Sequence, residues 1–441
     1  MHPDSEEERM LLRFEAANYR SILEPVELSM IAVDKDRPST RAFDLLAERV
    51  LTIAGIYGPN ASGKSNVVEA LAWLSIAVGR SLRSWDQFVP REPFKFGRGP
   101  ETPSTCEVEM VVRDVRYAYR VEVNDSAVLF EGLYSYPERR RRVLFERDGM
   151  ELHFRRGLGT LAGTRDLLTP TTLALSAAMR FDDPEVAAFG RNLSGIRVLG
   201  ARRRALWRRL TPGGAYAPGL SSTERLFDSS GSSSQLSLFD DADLAPVDGR
   251  ESALALLRFA DLGIDNVQVV EEGADDAGMP AQPRRRLRFI HRVEGQEVPF
   301  DLAEESGGTQ TWFALIGPAL TALRRGQVLL FDEIDASLHP KLSARLLELF
   351  QDPVTNPRGA QLIFTTHDTS LLNSLNRDEV WLTEKGDDGA TTLTALAEYG
   401  GDKVRRSLNL ERAYLQGRFG AVPELDQFTL RRALGREPSD A

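Results

Sequence analysis

The stretch "RVLTIAGIYGPNASGKS", Arg49 to Ser65, decides the fold. Its first half is a short run rich in β-branched residues, which predicts a buried strand. Its second half, "GPNASGKS", fits the pattern G-x-x-x-x-G-K-[ST]. The residues that follow have helical spacing, with Val67, Leu71, Leu74 and Val78 on one face. The sequence therefore predicts a strand, a glycine-rich loop and a helix in direct succession.

This succession predicts a chemistry, because the backbone N–H groups of such a loop and of the helix N-terminus point at phosphate oxygens. Gly58, Asn60 and Gly63 are predicted to surround the phosphates of a nucleotide. Lys64 would reach the β- and γ-phosphates, and the Ser65 hydroxyl would ligate Mg²⁺. We therefore predict ATP and Mg²⁺ as cofactors.

A second stretch, "QVLLFDEID" from Gln327 to Asp335, is an apolar strand that ends in two carboxylates. A carboxylate at the end of such a strand holds magnesium through a water molecule, a role that fits Asp332. Its neighbour Glu333 is placed to polarise the attacking water. Alone, the pair would indicate only a helix cap. Downstream of a phosphate-binding loop, it predicts hydrolysis of ATP to ADP and phosphate.

Length and composition limit the classes of protein to consider. The chain has 441 residues, long for one compact core, so two lobes or an inserted subdomain are expected. The net charge of −10 argues against a surface that broadly coats nucleic acid. Arginine runs at Arg139–Arg142, Arg202–Arg209 and Arg284–Arg288 are either local basic patches or solvated faces. The single cysteine, Cys106, excludes an intramolecular disulfide and a zinc site built on paired cysteines.

The location of the protein is predicted from two observations. The N-terminal residues, "MHPDSEEERM", are acidic and polar, which does not suit a secretory signal. The sequence also lacks a run of about 18 apolar residues that would span a membrane. We expect a cytoplasmic protein with no membrane partner.

Strand and helix patterns divide the chain into three parts. Residues 1–165 are predicted to form an N-terminal lobe with antiparallel strands, and residues 261–441 a C-terminal lobe in which strands and helices alternate. Residues 166–260 are predicted to be an insertion, helical from about Thr169 to Leu210, with a disordered loop at about 211–249. The alternation of buried strands with helices predicts an α/β fold built on a largely parallel sheet.

Five more motifs occur in order: "NYRS" (Asn18–Ser21), "ESGGTQ" (Glu305–Gln310), "SLHP" (Ser337–Pro340), "TTHD" (Thr365–Asp368) and "YLQGRFGAVP" (Tyr414–Pro423). They are similar, in turn, to the first-strand motif of RecF-like heads, the ABC signature, the D-loop, the switch-histidine strand end and the closing segment of defence ATPases. Together with the glycine loop and the carboxylates, they make the chain resemble the ABC-type ATPase heads of the SMC, Rad50 and RecF class. Within that class it is most similar to the bacterial AAA15-like ATPases of abortive-infection and phage-defence systems.

The resemblance covers residues 10–82 and 301–423, and it implies an α/β, ABC-type P-loop ATPase head with an inserted helical arm and a disordered loop. It also implies that two heads sandwich two ATP molecules and part after hydrolysis. Ser306, Gly307 and Gly308 would then present a helix N-terminus to the nucleotide of the facing subunit. His367 would hydrogen-bond the γ-phosphate, and Arg20 would approach the nucleotide.

The sequence also departs from the class. The glutamine that senses magnesium between the lobes is not identifiable, with Gln87 as a candidate. The segment between the lobes is too short for a long coiled coil, and the tail after Thr383 is too short for a Toprim nuclease domain. The resemblance therefore implies a switch whose effector, for example a nuclease, is a separate protein.

The segment "SSGSSSQLSLFDDADL", Ser229 to Leu244, is rich in serine and aspartate and is predicted to be disordered. Within it lies "QLSLF", formed by Gln235, Leu236, Ser237, Leu238 and Phe239. This pentapeptide resembles the short motif with which bacterial polymerases and repair proteins dock onto the β sliding clamp, where an apolar anchor fills a cleft. The alternative, that it packs back onto the head or matches by chance, stays open.

Three functions are compatible with these motifs. The leading one is an ATP-hydrolysing switch in anti-phage defence, which dimerises or forms a higher oligomer through its heads, docks on the clamp and controls an effector. The second is a RecF-like replication or repair ATPase, for which direct binding to DNA stays open. The third, a transporter's nucleotide-binding subunit, is disfavoured because docking to a membrane partner does not need the arm and the long loop.

Overall fold

The computed structural model describes most of the chain. The described residues are 9–35, 37–43, 47–181, 183–200, 222–227, 249–260, 263–272, 284–336, 338–399 and 409–420. The strands in chain order are β1 Arg9–Ala17, β2 Val26–Ser29, β3 Thr40–Ala42, β4 Arg49–Leu51, β5 Ile53–Tyr57, β6 Ser104–Val112, β7 Val115–Val123, β8 Val128–Tyr136, β9 Arg142–Asp148, β10 Glu151–Phe154, β11 Arg197–Leu199, β12 Ile264–Glu272, β13 Arg284–Val293, β14 Gln296–Asp301, β15 Val328–Phe331, β16 Gln361–Thr365, β17 Val380–Lys385 and β18 Thr391–Ala395. The α-helices are α1 Lys64–Ser84, α2 Ala174–Ala178, α3 Pro184–Ser194, α4 Ser222–Phe227, α5 Arg250–Ala260, α6 Gly307–Arg325, α7 Pro340–Gln351 and α8 Leu410–Leu415. Short 3₁₀ segments occur at Pro137–Arg139, Gly159–Leu167, Leu302–Glu304, Thr369–Ser374 and Leu396–Glu398.

Two large sheets organise these elements. One has the strand order β11-β15-β16-β5-β17-β18, parallel from β11 to β17, with β18 antiparallel at its edge. The other is antiparallel and has the order β10-β9-β8-β7-β6-β1-β2. A three-stranded sheet, β12-β13-β14, and a two-stranded pair, β3-β4, complete the set. The predicted α/β fold with a largely parallel sheet is confirmed.

The parallel sheet is buried on both faces, and its strands alternate between two cores. In β15, Val328 and Leu330 belong to one hydrophobic cluster, whereas Leu329 and Phe331 belong to the other. This period of two is the geometry of an extended strand, in which successive side chains point to opposite faces. Burial on both faces explains why the strands read as continuous apolar runs in the sequence.

Helix α1 lies in the core that the two large sheets share. Its predicted apolar face is confirmed, because Val67, Leu71, Leu74 and Val78 are all buried. Residues of β1, β6, β7, β15 and β16 are members of the same cluster. The start of this helix is therefore fixed between two sheets. Helices α6 and α7 contribute to the second core, on the opposite face of the parallel sheet.

The range 166–260 differs from its prediction in two places. After α2 and α3, the chain enters β11 instead of continuing as helix, because Arg197–Leu199 pairs in parallel with β15 at the edge of the main sheet. Within the predicted disordered loop, Ser222–Phe227 forms α4, whose Phe227 stacks on Phe313 with ring centroids 6.1 Å apart. Apart from α4 and Gly249, the predicted loop lies outside the described residues.

None of the helices in the described ranges combines the length and the apolar character that a membrane-crossing segment requires.

Candidate functional site

Three neighbouring parallel strands, β5, β16 and β15, end at one edge of the sheet. The register pairs Phe331 with Phe364 and Thr365 with Ile56, so the residues that follow each strand meet there. In open α/β sheets this carboxyl edge is where ligands bind. The edge carries the glycine loop, residues Gly58–Gly63, between β5 and α1. It also carries the carboxylates after β15 and the histidine after β16.

The glycine loop has a backbone that favours glycine at two positions. Gly58 has φ 150° and Gly63 has φ 107°, and between them Ala61 also lies in the left-handed region with φ 63°. A Cβ atom on Gly58 would overlap the Thr383 hydroxyl, and one on Gly63 would overlap the Thr391 side chain. Both predicted glycines are therefore required by conformation and by close approach.

Lys64, the first residue of α1, is nearly buried with 6% of its surface exposed. Its Nζ donates to the carbonyl oxygens of Gly58 at 2.8 Å and Pro59 at 3.0 Å, and lies 3.4 Å from His367 Nδ1. Burial lowers the pKa of the ammonium to about 8, and the carboxylates of Asp335, Glu333 and Asp332 oppose that shift. The structure thus brings together Lys64 and His367, which were predicted to contact the same phosphates.

Asp332 is buried, with one oxygen bonded and the other without a partner. Its Oδ1 accepts from Thr365 Oγ1 at 2.8 Å, whereas Oδ2 has no hydrogen-bond partner in the part of the chain that the structure describes. A buried carboxylate oxygen without a partner is unfavourable unless a cation or an ordered water satisfies it. The donor set therefore fits magnesium.

Magnesium in phosphate-handling sites is commonly held by one or two carboxylates together with substrate oxygens and waters. Asp332 and the hydroxyl of Ser65, the second residue of α1, would hold it together with the nucleotide. In the described ranges, no group of three or more His, Cys, Asp and Glu side chains is arranged to hold a metal ion.

Glu333 follows Asp332 in a strained conformation. Its φ of 58° lies in the left-handed region, which is uncommon for a residue with a long side chain. Its backbone N–H donates to Thr365 Oγ1 at 2.8 Å, the same hydroxyl that donates to Asp332. Strain of this kind is typical of functional sites held by their surroundings. Here the fully buried Thr365 fixes the turn that carries both carboxylates.

His367 has an exposed side chain and a firmly held backbone. Its N–H donates to the Asp335 carboxylate, at 3.1 Å from Oδ2 and 3.3 Å from Oδ1. Thr366 Oγ1 donates to Asp335 Oδ1 at 2.9 Å. Sequence reasoning missed Asp335, although its place two residues after Glu333 was a usable signal. Asp335 therefore connects the turn after β15, which contains Asp332 and Glu333, to the turn after β16, which contains His367.

The segment after His367 is covered by the helix that leads into the closing motif. Helix α8, residues 410–415, packs on the 3₁₀ segment Thr369–Ser374, and Glu411 Oε2 accepts from Asn373 Nδ2 at 2.7 Å. The motif's last residues, 421–423, lie outside the described residues. Helix α8, whose last two residues begin the closing motif, therefore supports the segment that follows His367.

The predicted signature residues form an open helix N-terminus. Ser306 caps α6, its Oγ accepting from Thr309 N at 3.1 Å, and both Ser306 and Gly307 are exposed. A Cβ atom on Gly307 would meet no atom within 4 Å. Glu305, the residue before the cap, is held by His291 at 2.7 Å. The first turn of α6 is therefore accessible to a ligand from outside the subunit.

Arg20 lies beside the first turns of α1. Its φ is 52°, and its guanidinium pairs with Glu69 and with Glu92, the latter at 2.7 Å. Its Nη1 also donates to Asn66 Oδ1 at 3.3 Å. Because Asn66 is the third residue of α1, Arg20 lies near the glycine loop, and its approach to a nucleotide stays a prediction.

The remaining predicted residues are Asn60, Gln87, Ser337 and the pentapeptide Gln235–Phe239. Asn60 is exposed in the glycine loop. Gln87 follows the C-terminus of α1, whose 21 residues span about 31 Å, so it lies roughly 20 Å or more from Lys64. This distance contradicts its candidacy as the magnesium sensor. Ser337 of the D-loop motif and the pentapeptide Gln235–Phe239 lie outside the described residues.

Two solved structures are similar to most of the chain. One, titled "Crystal structure of the SmcHead bound to the C-winged helix domain of ScpA", is 14% identical with a TM-score of 0.40, covering 87% of this chain and 97% of that chain. The other, "SMC head domain from Thermotoga maritima", is 11% identical with a TM-score of 0.36, covering 87% of this chain and 98% of that chain.

A curated relative matches a shorter part of the chain. It is the thiamine import ATP-binding protein ThiQ of Ruegeria sp. (strain TM1040), 31% identical over 121 residues. The match covers 25% of this chain and 50% of the relative, so the chain spans about half the length of the curated relative it matches.

A family model described as "AAA domain, putative AbiEii toxin, Type IV TA system" matches residues 53–373. That range begins at the first residue of β5 and contains the glycine loop, Ser306, the two carboxylates and His367. The predicted kinship with the ABC-type ATPase heads of the abortive-infection class is confirmed. The chain belongs to this AbiEii-type AAA ATPase family.

Proposed function

We propose that this chain is an ATP-hydrolysing switch whose heads close on ATP and open after hydrolysis. The observation that carries the proposal is the meeting of Lys64, Asp332, Glu333 and His367 at the carboxyl edge of three parallel strands. A cation, an orphaned carboxylate oxygen, a second carboxylate and an imidazole at one edge are the groups that phosphoryl transfer to water requires. Magnesium would neutralise charge on the phosphates.

Each of these residues has a separate task. The Lys64 ammonium binds the β- and γ-phosphates, exchanging its two carbonyl partners for phosphate oxygens. Asp332 would hold magnesium, whose positive charge would stabilise the phosphates. Glu333 accepts a proton from the attacking water, and His367 donates to the γ-phosphate. The measurement that tests this assignment is release of phosphate from ATP with magnesium by the purified chain.

Closure of two heads is supported by the open end of α6. In a helix, the first backbone N–H groups have no partner within the helix, and its dipole favours an anion at this end. Ser306 and Gly307 leave that end accessible to the γ-phosphate held by a second copy. The two sites would then be completed only in the dimer.

Ser306→Arg is expected to bind ATP with parental affinity and to fail to dimerise, because a bulky side chain blocks the end of α6. Analytical ultracentrifugation with ATP and magnesium, paired with nucleotide titration, measures both properties. Met150→Arg, which adds the same side chain at an exposed turn of the antiparallel sheet, is the matched control. A Ser306→Arg protein that dimerises like the parent contradicts the role of this helix.

A role in anti-phage defence is proposed from the description of the family, which names an AbiEii toxin and a Type IV TA system. Action on a separate effector is a further part of the proposal. The test compares the efficiency with which a phage forms plaques on two bacterial strains. One strain carries the intact locus, and the other carries the locus with the Glu333→Gln substitution. We expect protection to be lost in the variant. Equal plating on both strains contradicts a defence role that depends on hydrolysis.

Docking on the β sliding clamp is proposed for the pentapeptide Gln235–Phe239. Burial of a leucine and a phenylalanine contributes about 1.5–3 kcal/mol each, which after the ordering of the peptide allows micromolar binding. Calorimetric titration with purified β clamp is expected to show this affinity and to lose it in the double variant Leu238→Ala/Phe239→Ala. Leu244→Ala, outside the pentapeptide but in the same segment, is expected to bind normally. Absence of binding by the parent at tens of micromolar clamp contradicts the proposal.

A second candidate function, a RecF-like replication or repair ATPase, is favoured by the turn at Arg139–Arg142. All four arginines are exposed, and Arg141 lies over the Tyr134 ring at 4.0 Å. Exposed arginines suit contact with nucleic-acid phosphates. A repair ATPase is expected to be stimulated by DNA alone, whereas a defence switch is not. Phosphate release with and without duplex DNA distinguishes the two.

A further inference from the structure

The glycine loop rests directly on the hairpin formed by β17 and β18. Thr383 of β17 and Thr391, the first residue of β18, are 0% and 3% exposed. The overlap that a Cβ atom on Gly58 or Gly63 would make with these threonines shows that no side chain separates loop from hairpin. Two strand threonines are thus placed against the back of the loop.

Hydrogen bonds join the two threonines to loop carbonyls. Thr391 Oγ1 donates to the Ser62 carbonyl at 2.7 Å, and Thr383 Oγ1 donates to the Tyr57 carbonyl at 3.1 Å. A hydroxyl has one hydrogen to donate, so both must act as acceptors in their other bonds. Ser21 Oγ therefore donates to Thr391 at 2.7 Å, and Ser62 Oγ donates to Thr383 at 2.6 Å.

The chain of hydroxyls ends on α1. Ser21 Oγ accepts from Asn66 Nδ2 at 2.6 Å, and the Ser21 carbonyl accepts from Thr391 N at 2.7 Å. The hairpin, the turn after β1 and the first turn of α1 are thereby joined through groups that each have a partner. Buried networks in which every group is satisfied are rigid.

The two carbonyl contacts also orient the next N–H groups. No peptide bond in the described residues is cis, and in a trans peptide the C=O and the N–H point in opposite directions. Because the Tyr57 carbonyl is held by Thr383, the N–H of Gly58 is turned away from the hairpin. The Ser62 carbonyl, held by Thr391, turns the N–H of Gly63 away in the same manner. N–H groups turned away from the hairpin are available to a phosphate on the other side of the loop.

We propose that Thr391 and Thr383 are positioning residues for the phosphate site: they fix the backbone of the glycine loop before the nucleotide arrives. This inference rests on the proposed function, because it concerns the same site. It gives both loop glycines a second requirement, close approach to the hairpin.

Thr391→Val keeps the side-chain shape and removes the hydroxyl, which leaves the Ser62 carbonyl and the Ser21 hydroxyl without that partner. We expect affinity for ATP and for inorganic tripolyphosphate to fall by about tenfold each, since loop N–H groups contact only phosphate. Calorimetric titration measures both constants. Thr391→Ser, which restores the hydroxyl, is expected to bind like the parent. Thr392→Val, at the exposed neighbour, is the matched control.

The outcomes separate this inference from the function on which it rests. If the parent binds neither ATP nor tripolyphosphate, the proposed function is wrong. If the parent binds ATP and tripolyphosphate and Thr391→Val binds each of them with parental affinity, the positioning role is overturned. This holds even if the thermal unfolding midpoint of the variant is lower than that of the parent. Should Thr391→Val not fold, Thr383→Val carries the same expectation, because it frees the Tyr57 carbonyl.

Discussion

Glu333→Gln is expected to bind ATP with parental affinity and to hydrolyse it at least about a hundredfold more slowly, the usual contribution of a general base. The amide has the shape of the carboxylate but does not accept a proton from water at neutral pH. The left-handed backbone at Glu333 and its bond to Thr365 do not involve the side chain, so the turn is expected to survive. Phosphate release under single-turnover conditions measures the chemical step.

The same variant is expected to remain dimeric in ATP, because the event that separates the heads no longer occurs. Size-exclusion chromatography with ATP and magnesium would show a persistent larger species. Glu348→Gln, an exposed glutamate on α7, is the matched control and is expected to hydrolyse ATP normally. Hydrolysis at the parental rate by Glu333→Gln would falsify its assignment as the base.

The predictable parts of the site are those that depend on residues close together in the sequence. Lys64 is part of a strand–loop–helix succession, and Asp332 closes an apolar run, so the local pattern fixes both the element and the position of the side chain. Parallel strands end at one edge, which brings these two patterns together without further information. The apolar face of α1 follows from helical spacing in the same manner.

The supporting residues were not predictable because their partners are remote in sequence. Thr391 bonds to Ser62 across 329 residues, and it is one of three threonines in its strand. Threonine is common in β-strands, so a threonine in a predicted strand does not indicate that the strand contacts the glycine loop. Asp335 bonds to the backbone of His367, so its partner cannot be inferred from the sequence, and only its place two residues after Glu333 was a signal.

Two elements were mispredicted because tertiary contacts outweigh local composition. Arg197–Leu199 is only three residues long, and it is a strand because β15 offers an edge to pair with. The segment Ser222–Phe227 lies in polar, proline-rich sequence. It is helical because Phe227 is buried against Phe313, and Thr223 Oγ1 accepts from Gly317 N at 2.8 Å. In each case the partner lies far away in the sequence, so the sequence of the segment does not reveal it.

Lys64→Ala is expected to weaken ATP binding by about 10- to 100-fold, because a hydrogen bond between charged groups contributes roughly 1.5–3 kcal/mol. The ammonium is already buried, and its close partners are the neutral carbonyls of Gly58 and Pro59 and the ring of His367, so bound phosphate would bring an anion into direct contact with it. Equilibrium dialysis with labelled ATP measures the change. Lys35→Ala, at an exposed lysine, is the matched control. Equal affinity of parent and Lys64→Ala would rule out the phosphate contact.

Binding through Lys64 also predicts a pH dependence with a definite sign. Burial places the pKa of the free protein's ammonium at about 8, below its ordinary value, and a bound polyanion favours the charged form and raises that pKa. ATP binding above pH 8 must therefore take up a proton, and affinity is expected to fall as the pH rises through 8. A larger fraction of the free protein therefore has a neutral Lys64 at pH 8.5 than at pH 7.

Calorimetry of ATP binding at pH 8.5, in two buffers of different ionisation enthalpy, measures this proton uptake, and pH 8.5 lies above the usual titration range of histidine. We expect a clearly larger proton uptake at pH 8.5 than at pH 7. Lys64→Arg, whose side chain stays charged throughout, is expected to bind without the uptake. Equal binding heats in the two buffers at pH 8.5 would show that Lys64 is already charged before ATP arrives, and that the desolvated ammonium does not set the affinity.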